Sequence, residues 1–185
     1  MRNFKFLICV CALLVARGAS AQNCSMSTNL AGYAWYGTMG MEAGLGLAQH
    51  WTATAGAIYN PFSFRSDSGA IRQSKQRTFS AGARFWPWHI FSGWWLAGKA
   101  QYQEYNEGGI KSPMTREGDR VGGGVSAGYT YMLGTHFNIE LGVGMWSGFD
   151  RYVVYECPEC GRRLDKGGKA FLLPNDISLS VSYVF

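Results

Sequence analysis

Residues 177–185 read Ile-Ser-Leu-Ser-Val-Ser-Tyr-Val-Phe, and this stretch decides the fold. Large apolar side chains occupy every second position from Ile177 to Phe185, and serine occupies three of the positions between them. Such a period of two is typical of a β-strand, whose successive side chains point to opposite faces of the sheet. After residue 24 no period of 3.6 persists for three turns, so the pattern predicts an all-β chain.

The same alternation recurs upstream, with glycine on the second face. Between Phe137 and Met145, large apolar residues alternate with Asn, Glu and Gly, and residues 40–47 and 121–131 repeat the pattern. A water-soluble sheet would normally carry charged side chains on its solvent face rather than rows of glycine. A membrane barrel reverses this order, because its apolar face meets lipid and its cramped interior takes small or polar residues. We therefore predict an eight-stranded antiparallel up-and-down transmembrane β-barrel.

Eight strands can be laid end to end along the chain. They are predicted at 27–36, 39–48, 51–60, 77–86, 94–105, 119–133, 136–155 and 177–185. The connections then alternate between short and long, except for the first one near Gly37 and Thr38. Short turns at one end and longer loops at the other are typical of an outer-membrane barrel, with both termini on the periplasmic side.

Aromatic residues collect near both ends of these strands, as interfacial aromatic girdles do. The predicted periplasmic rim consists of Trp51, Trp86, Trp88, Trp94, Trp95, Tyr131, Tyr183 and Phe185. The predicted outer rim consists of Tyr59, Phe62, Tyr105, Phe149, Tyr152 and Tyr155.

The N-terminus reads as a signal peptide over residues 1–21, followed by a barrel domain over residues 22–185. Arg2 and Lys5 supply positive charge, an apolar run follows, and Ala19-Ser20-Ala21 matches a cleavage site. Beyond this segment no run of 18 apolar residues could form a spanning helix. Removal of its three basic residues lowers the formal net charge from +5 to about +2, which gives no support to nucleic-acid binding.

Several short motifs together resemble an uncharacterised outer-membrane barrel family of Bacteroides-type bacteria, the domain of unknown function 3575. The motifs are Thr28-Asn29-Leu30, Gly44-Leu45-Gly46-Leu47, Arg84-Phe85-Trp86 and Leu173-Pro174-Asn175-Asp176-Ile177, the last preceded by Cys157-Pro158-Glu159-Cys160-Gly161. Gly32-Tyr33-Ala34 departs from the family pattern, which leaves the register of the first strand open. The resemblance implies an outer-membrane location and a barrel fold, and it carries no established catalytic residue. The terminal Phe185 also resembles the signal read by the bacterial barrel-assembly machinery.

Four charged residues are predicted to share the interior of the barrel. Glu42 and Glu140 lie on the glycine face, and Arg84 and Lys99 are expected to join them. An eight-stranded barrel is just wide enough for side chains to fill, and buried charges must pair. The cluster is therefore expected to plug the barrel, with a gated pore or proton path as the alternative.

Cys157 and Cys160 are separated by two residues, as in half of a zinc site. No second pair of this spacing follows, so a disulfide in an oxidising compartment is the preferred interpretation. Cys24 is interpreted as an ordinary thiol. No metal site and no cofactor are predicted.

Arg65, Arg72, Lys75 and Arg77 form a basic segment in and beside the predicted loop 61–76. A solvated loop is one interpretation. The other is contact with the phosphates of lipopolysaccharide or with an acidic partner, because Arg and Lys match phosphate oxygens.

The sequence as a whole predicts a non-enzymatic outer-membrane barrel with a structural or interaction role through its outer loops. A lipid-A-modifying barrel enzyme and a narrow channel remain the alternatives. An enzyme of that kind needs catalytic side chains at the outer rim, whereas His50, His89 and His136 all fall on predicted periplasmic turns. The expected partners are outer-membrane lipid, including lipopolysaccharide, and the assembly machinery during biogenesis; a protein partner is not identified.

Overall fold

A computed structural model describes residues 23–34, 36–65, 71–109, 114–157 and 162–185. The predicted signal peptide, residues 1–21, lies outside these ranges. The described elements, in chain order, are β1 (Cys24–Asn29), α1 (Leu30–Ala34), β2 (Met39–Ala48), β3 (Trp51–Asn60), β4 (Ser63–Arg65), β5 (Ile71–Phe85), β6 (Gly93–Gly108), β7 (Thr115–Met132), β8 (Phe137–Tyr155) and β9 (Arg163–Val184).

The strands form a sheet that closes on itself. Its order is β3-β2-β1-β9-β8-β7-β6-β5-β4, and a further pairing of β3 with β5 completes a ring of eight strands, with the short β4 attached to β5. All pairings are antiparallel. The predicted eight-stranded antiparallel barrel fold is thereby confirmed. The described residues contain no helix with the length and hydropathy required to cross a membrane.

The first strand differs from its predicted bounds of 27–36. β1 ends at Asn29, whose side-chain Oδ1 accepts a hydrogen bond from the backbone N–H of Ala31 at 3.0 Å and starts α1. Asn is a favoured helix N-cap because its short side chain satisfies a free N–H of the first turn. The connection between β1 and β2 therefore spans residues 30–38. The predicted alternation of short and long connections is not kept, because residues 86–92, 109–114 and 156–162 connect their strands over similar lengths.

The last strand is much longer than predicted. Residues 163–176 were expected to form a loop, but β9 begins at Arg163 and pairs with β8 along most of its length. β5 likewise begins at Ile71 rather than at residue 77. The wall from β5 to β9 consequently extends well beyond β1–β3 at one end of the ring. We call this the far end, and we call the opposite end, which holds Asn23 and Phe185, the terminal end.

The outer surface carries an apolar belt. Its row nearest the far end, which we call the upper row, consists of direct cross-strand partners on β5 to β9: Phe79, Tyr102, Val121, Phe149 and Ala170. From this row the belt continues toward the terminal end through residues such as Val125, which is 70% exposed, and Val143. At the positions whose side chains the structure describes, no outward-facing Asp, Glu, Lys or Arg interrupts it.

The turn between β5 and β6 folds into the terminal end of the ring and forms its main apolar core. Trp86, Ile90 and Phe91 of this turn pack with Trp95 and Val184. The indole Nε1 of Trp86 donates a hydrogen bond to Thr52 Oγ1 at 3.1 Å. The prediction that Trp86 and Trp95 belong to an exposed rim is therefore wrong, because both rings fill the interior. Trp51, Trp88, Trp94, Tyr131, Tyr183 and Phe185 are exposed.

Candidate functional site: the charged interior

Arg84 on β5 lies at the centre of the charged interior. Its Nη1 donates a hydrogen bond to Glu140 Oε2 on β8 at 2.8 Å, and its Nη2 donates to Glu42 Oε1 on β2. The guanidinium also lies 4.3 Å from the ring centroid of Trp95. One cation thus pairs with two carboxylates from different walls, and the indole face adds a favourable cation–π contact.

Lys99 lines the same space. A small cavity of about 80 Å³ is bounded by Glu42, Arg84, Lys99 and Glu140, together with serine, threonine and glycine residues. The structure therefore brings together all four charged residues that the sequence assigned to the interior.

Glycine makes room for this cluster. A Cβ atom added at Gly128 would lie 2.4 Å from the ring of Trp95, and one added at Gly142 would lie 2.9 Å from it. Such distances are much shorter than van der Waals contact, so side chains at these positions would displace Trp95. The Trp95 ring would then lose its contact with the Arg84 guanidinium. The glycine face seen in the sequence is thus the surface on which Trp95 rests.

A second polar network closes the interior nearer to the far end. Asp150 is buried, accepts a hydrogen bond from the Tyr105 hydroxyl at 2.8 Å, and lies 3.5 Å from Nε of Arg120. The Arg120 guanidinium lies 3.6 Å from the Tyr105 ring centroid and donates to Gln103 Oε1 at 3.3 Å. Gln103 in turn donates to Gln76 Oε1 at 2.6 Å.

This second network was not predicted from the sequence. Tyr105 was expected at the exposed outer rim, yet it is 2% exposed and points inward. A signal was present, because Arg120 and Asp150 stand on the same alternating face as Gly122 and Gly148. The rule that selected Glu42 and Glu140 would also have selected these two residues.

The interior is therefore filled at three successive levels: the apolar turn, the Arg84 cluster and the Arg120 network. At the two polar levels each carboxylate that lies deep in the interior contacts a guanidinium, with Glu42 and Glu140 sharing Arg84, and such pairing is the condition under which buried charge is tolerated. Chemically, this arrangement is suited to filling and bracing the ring.

The four basic residues predicted on loop 61–76 do not lie together on a loop. Arg65 is on β4, and Arg72, Lys75 and Arg77 are on β5. Because faces alternate along a strand, Arg72 points away from the side shared by Lys75 and Arg77. Arg77 forms an exposed ion pair with Glu104 at 3.7 Å. The four residues thus lie on strands rather than on the predicted loop, and their contact with phosphates or an acidic partner stays a prediction.

The cysteines are distributed as follows. Cys157 is disulfide-bonded, and Cys160, its predicted partner, lies outside the described residues. Cys24 is a free thiol.

The three histidines lie on turns at the terminal end. The Nδ1 atoms of His50, His89 and His136 lie 2.9, 3.1 and 2.8 Å from the backbone carbonyl oxygens of Trp86, Ile90 and Val184. A carbonyl oxygen can only accept, so each Nδ1 donates. Within the described residues, no group of three or more His, Cys, Asp or Glu side chains could hold a metal ion.

A family model described as a protein of unknown function, DUF3575, matches residues 5–185. No curated protein and no solved structure matches the chain.

Proposed function

This chain belongs to the DUF3575 family, and we propose that it is an integral β-barrel of a bacterial outer membrane, non-enzymatic, with a structural or interaction role through its far end. The predicted signal peptide, residues 1–21, would export it, and the assembly machinery would insert it. The terminal end would face the periplasm and the far end would face outward.

The observation that carries this proposal is the inverted distribution of side chains over a closed ring. Apolar residues, many of them large, occupy most outward positions of the belt, whereas the buried interior is rich in threonine, glutamine and ion pairs. A water-soluble protein exposes such a continuous apolar surface at a high cost, whereas a lipid bilayer requires it. Closure of the ring also leaves no free strand edge within the belt for lipid to contact.

The dimensions of the belt agree with a bilayer. On β7 the belt runs from Val121 to Tyr131, which at 3.3 Å per residue and a tilt near 40° corresponds to a height of about 25 Å. A row of charged residues, including Arg77, Glu104 and Arg151, begins immediately above it. Charges at that height would lie at the lipid–water boundary.

The filled interior supports a plugged barrel over a channel. Two ion-pair levels and the Trp86 turn stand between the two ends of the ring. The position of the histidines supports a non-enzymatic role, because all three would face the periplasm and lie far from lipid A in the outer leaflet.

The first experiment compares boiled and unboiled outer-membrane fractions of cells that express the full chain on a gel. A folded outer-membrane barrel should migrate differently before and after boiling. Recovery in the soluble periplasm, with no such shift, would contradict the proposal.

A pair of variants tests which surface meets lipid. Val125→Arg places a charge in the middle of the belt, whereas Leu164→Arg places the same charge on an exposed apolar position of β9 beyond the belt. In a bilayer the Val125 variant should lose about 2–4 kcal/mol of folding free energy and the Leu164 variant little. Equal and small effects of both substitutions would mean that the belt faces water.

A further inference from the structure

A groove of about 960 Å³ runs across the outer face of the wall directly above the apolar belt. Most of its lining residues lie in two neighbouring rows that face outward, and the others, such as Gln76 and Tyr105, occupy the inward-facing positions between them. The lower row includes Arg77, Glu104, Asp119 and Arg151, which are direct cross-strand partners, and the upper row includes Lys75, Glu117 and Lys166.

The charges in this groove are segregated by strand. The carboxylates of Glu104, Glu117 and Asp119 occupy its centre on β6 and β7, and cations occupy its two ends. At the β5 end, Arg77 is already paired with Glu104. At the other end, on β8 and β9, are Arg151 and Lys166.

Arg151 and Lys166 form the more available of the two cationic ends. Both are exposed, and no carboxylate of the described residues lies within 4 Å of either one as an ion-pair partner. Arg151 is directly opposite Gly168, and Lys166 is opposite Val153, so the two cations are diagonal neighbours on one face. Diagonal neighbours lie about 7–8 Å apart at their backbones, within reach of two long side chains that converge on one anion.

Gly168 provides the space between them. Because it has no side chain, the surface opposite Arg151 is open. A Cβ atom added at Gly168 would make only ordinary contacts, at 3.6 Å, with the Asp150 carbonyl oxygen and the Phe149 ring.

The surface below this pair is apolar. Phe149 and Ala170, in the upper row of the belt, are the next residues on this face toward the terminal end, and Leu172 follows them on β9. A ligand that occupies both surfaces must carry an anion at one end and hydrocarbon at the other.

We propose that Arg151, Lys166 and the gap at Gly168 bind the phosphate of a phosphorylated glycolipid in the outer leaflet, with its acyl chains against the belt. The site rests on the proposed function, because it requires the belt to lie in a bilayer. Arg and Lys both suit phosphate oxygens, and Arg can bind two of them at once.

The test uses native mass spectrometry of the full folded protein, released from mild detergent with added lipid. The probes are diphosphorylated lipid A, the same lipid after enzymatic removal of its phosphates, and inorganic phosphate. We expect lipid A to bind at least about tenfold more tightly than its dephosphorylated form, as loss of one charge-assisted hydrogen bond predicts. Equal binding of the two lipids would overturn the proposal, and so would inorganic phosphate binding as tightly as lipid A.

Two variants locate the site. Arg151→Gln combined with Lys166→Gln should remove the preference for phosphorylated lipid, whereas Arg162→Gln combined with Arg163→Gln loses the same charge outside the groove and should retain it. Gly168→Val leaves every charge in place, fills the gap, and should weaken lipid A binding several-fold. Full binding by both groove variants would exclude this site even if the wild-type protein prefers the phosphorylated lipid.

Absence of the phosphate site and absence of the proposed outer-membrane function give different results. A protein that shifts on boiling and fractionates with the outer membrane, yet has no preference for phosphorylated lipid, retains the proposed function and loses this site. A protein that fails the fractionation test loses both.

Discussion

Arg84 and Glu140 are joined by a 2.8 Å ion pair across the interior, from β5 to β8, which are not neighbours in the sheet. Glu42 on β2 binds the same guanidinium from another side. The closed ring is therefore held together by a three-way contact through its interior, in addition to its backbone ladder.

Replacement of Arg84 should strongly destabilise the fold. Arg84→Met keeps an unbranched apolar stem but leaves the two carboxylates without their cation, which should cost about 3–5 kcal/mol. Urea unfolding in detergent, followed by tryptophan fluorescence, measures this cost. Arg162→Gln removes an exposed arginine that pairs with Glu156 at 3.7 Å and should cost less than about 1 kcal/mol. Equal effects of the two substitutions would argue against a bracing role for Arg84.

The second network should depend on the hydroxyl of Tyr105. Tyr105→Phe removes the donor to buried Asp150 and should lower the free energy of unfolding by about 1.5–3 kcal/mol. Tyr102→Phe is the matched control on the same strand, because the Tyr102 hydroxyl is exposed and donates at 3.3 Å to Glu104 and Asp119. A larger effect at Tyr102 than at Tyr105 in the same urea titration would contradict the assignment of Asp150 as a buried partner.

The glycine face should tolerate no side chain where it supports Trp95. Gly128→Ala places a methyl group 2.4 Å from that ring and 2.2 Å from the Leu141 carbonyl oxygen. Overpacking of this kind costs about 1–3 kcal/mol. At Gly98 on β6, a Cβ atom would meet nothing within 4 Å, so Gly98→Ala should be neutral or slightly stabilising. Thermal unfolding followed by circular dichroism compares the two, and similar melting temperatures would mean that the interior is roomier than described.

Trp86 should contribute far more to stability than its neighbour Trp88. Trp86 is fully buried in the turn that fills the terminal end, whereas Trp88 is 63% exposed. Trp86→Ala should cost about 3–5 kcal/mol through the cavity it leaves. Trp88→Ala should change the free energy of unfolding, measured by circular dichroism in urea, by much less. If loss of Trp86 were as well tolerated as loss of Trp88, the turn would not be part of the core.

Which residues of a strand lie on the same face of the sheet is a local property, and the sequence indicates it well. The bounds of β2 and β3 were predicted as 39–48 and 51–60 and are confirmed, because alternation and the tight turn between them are both visible along the chain. Glu42 and Glu140 were assigned to the interior for the same reason, since a period of two fixes the face of every residue once one face is known.

The ends of β1 and β9 required the tertiary structure. β1 stops at Asn29 because the Asn29 side chain starts α1, and the same side-chain oxygen also accepts the backbone N–H of Leu179 at 3.3 Å, where the ladder with β9 ends. The first half of β9 alternates poorly, and it is a strand because β8 offers its backbone as a partner. Pairing with a distant strand can impose an extended conformation that local sequence does not favour.

The sequence by itself thus determined the fold class, the existence of the eight strands of the ring and the inward face of Glu42, Arg84, Lys99 and Glu140, because these follow from a repeat of two along one chain. Only the tertiary structure decided that Trp86 and Trp95 turn inward, that Tyr105 joins Arg120 and Asp150, and that Arg151 and Lys166 flank one gap. Those relationships depend on how far neighbouring strands are offset and on which side chains fit into the space that remains. That offset is set by the closure of the whole ring and is absent from any single segment.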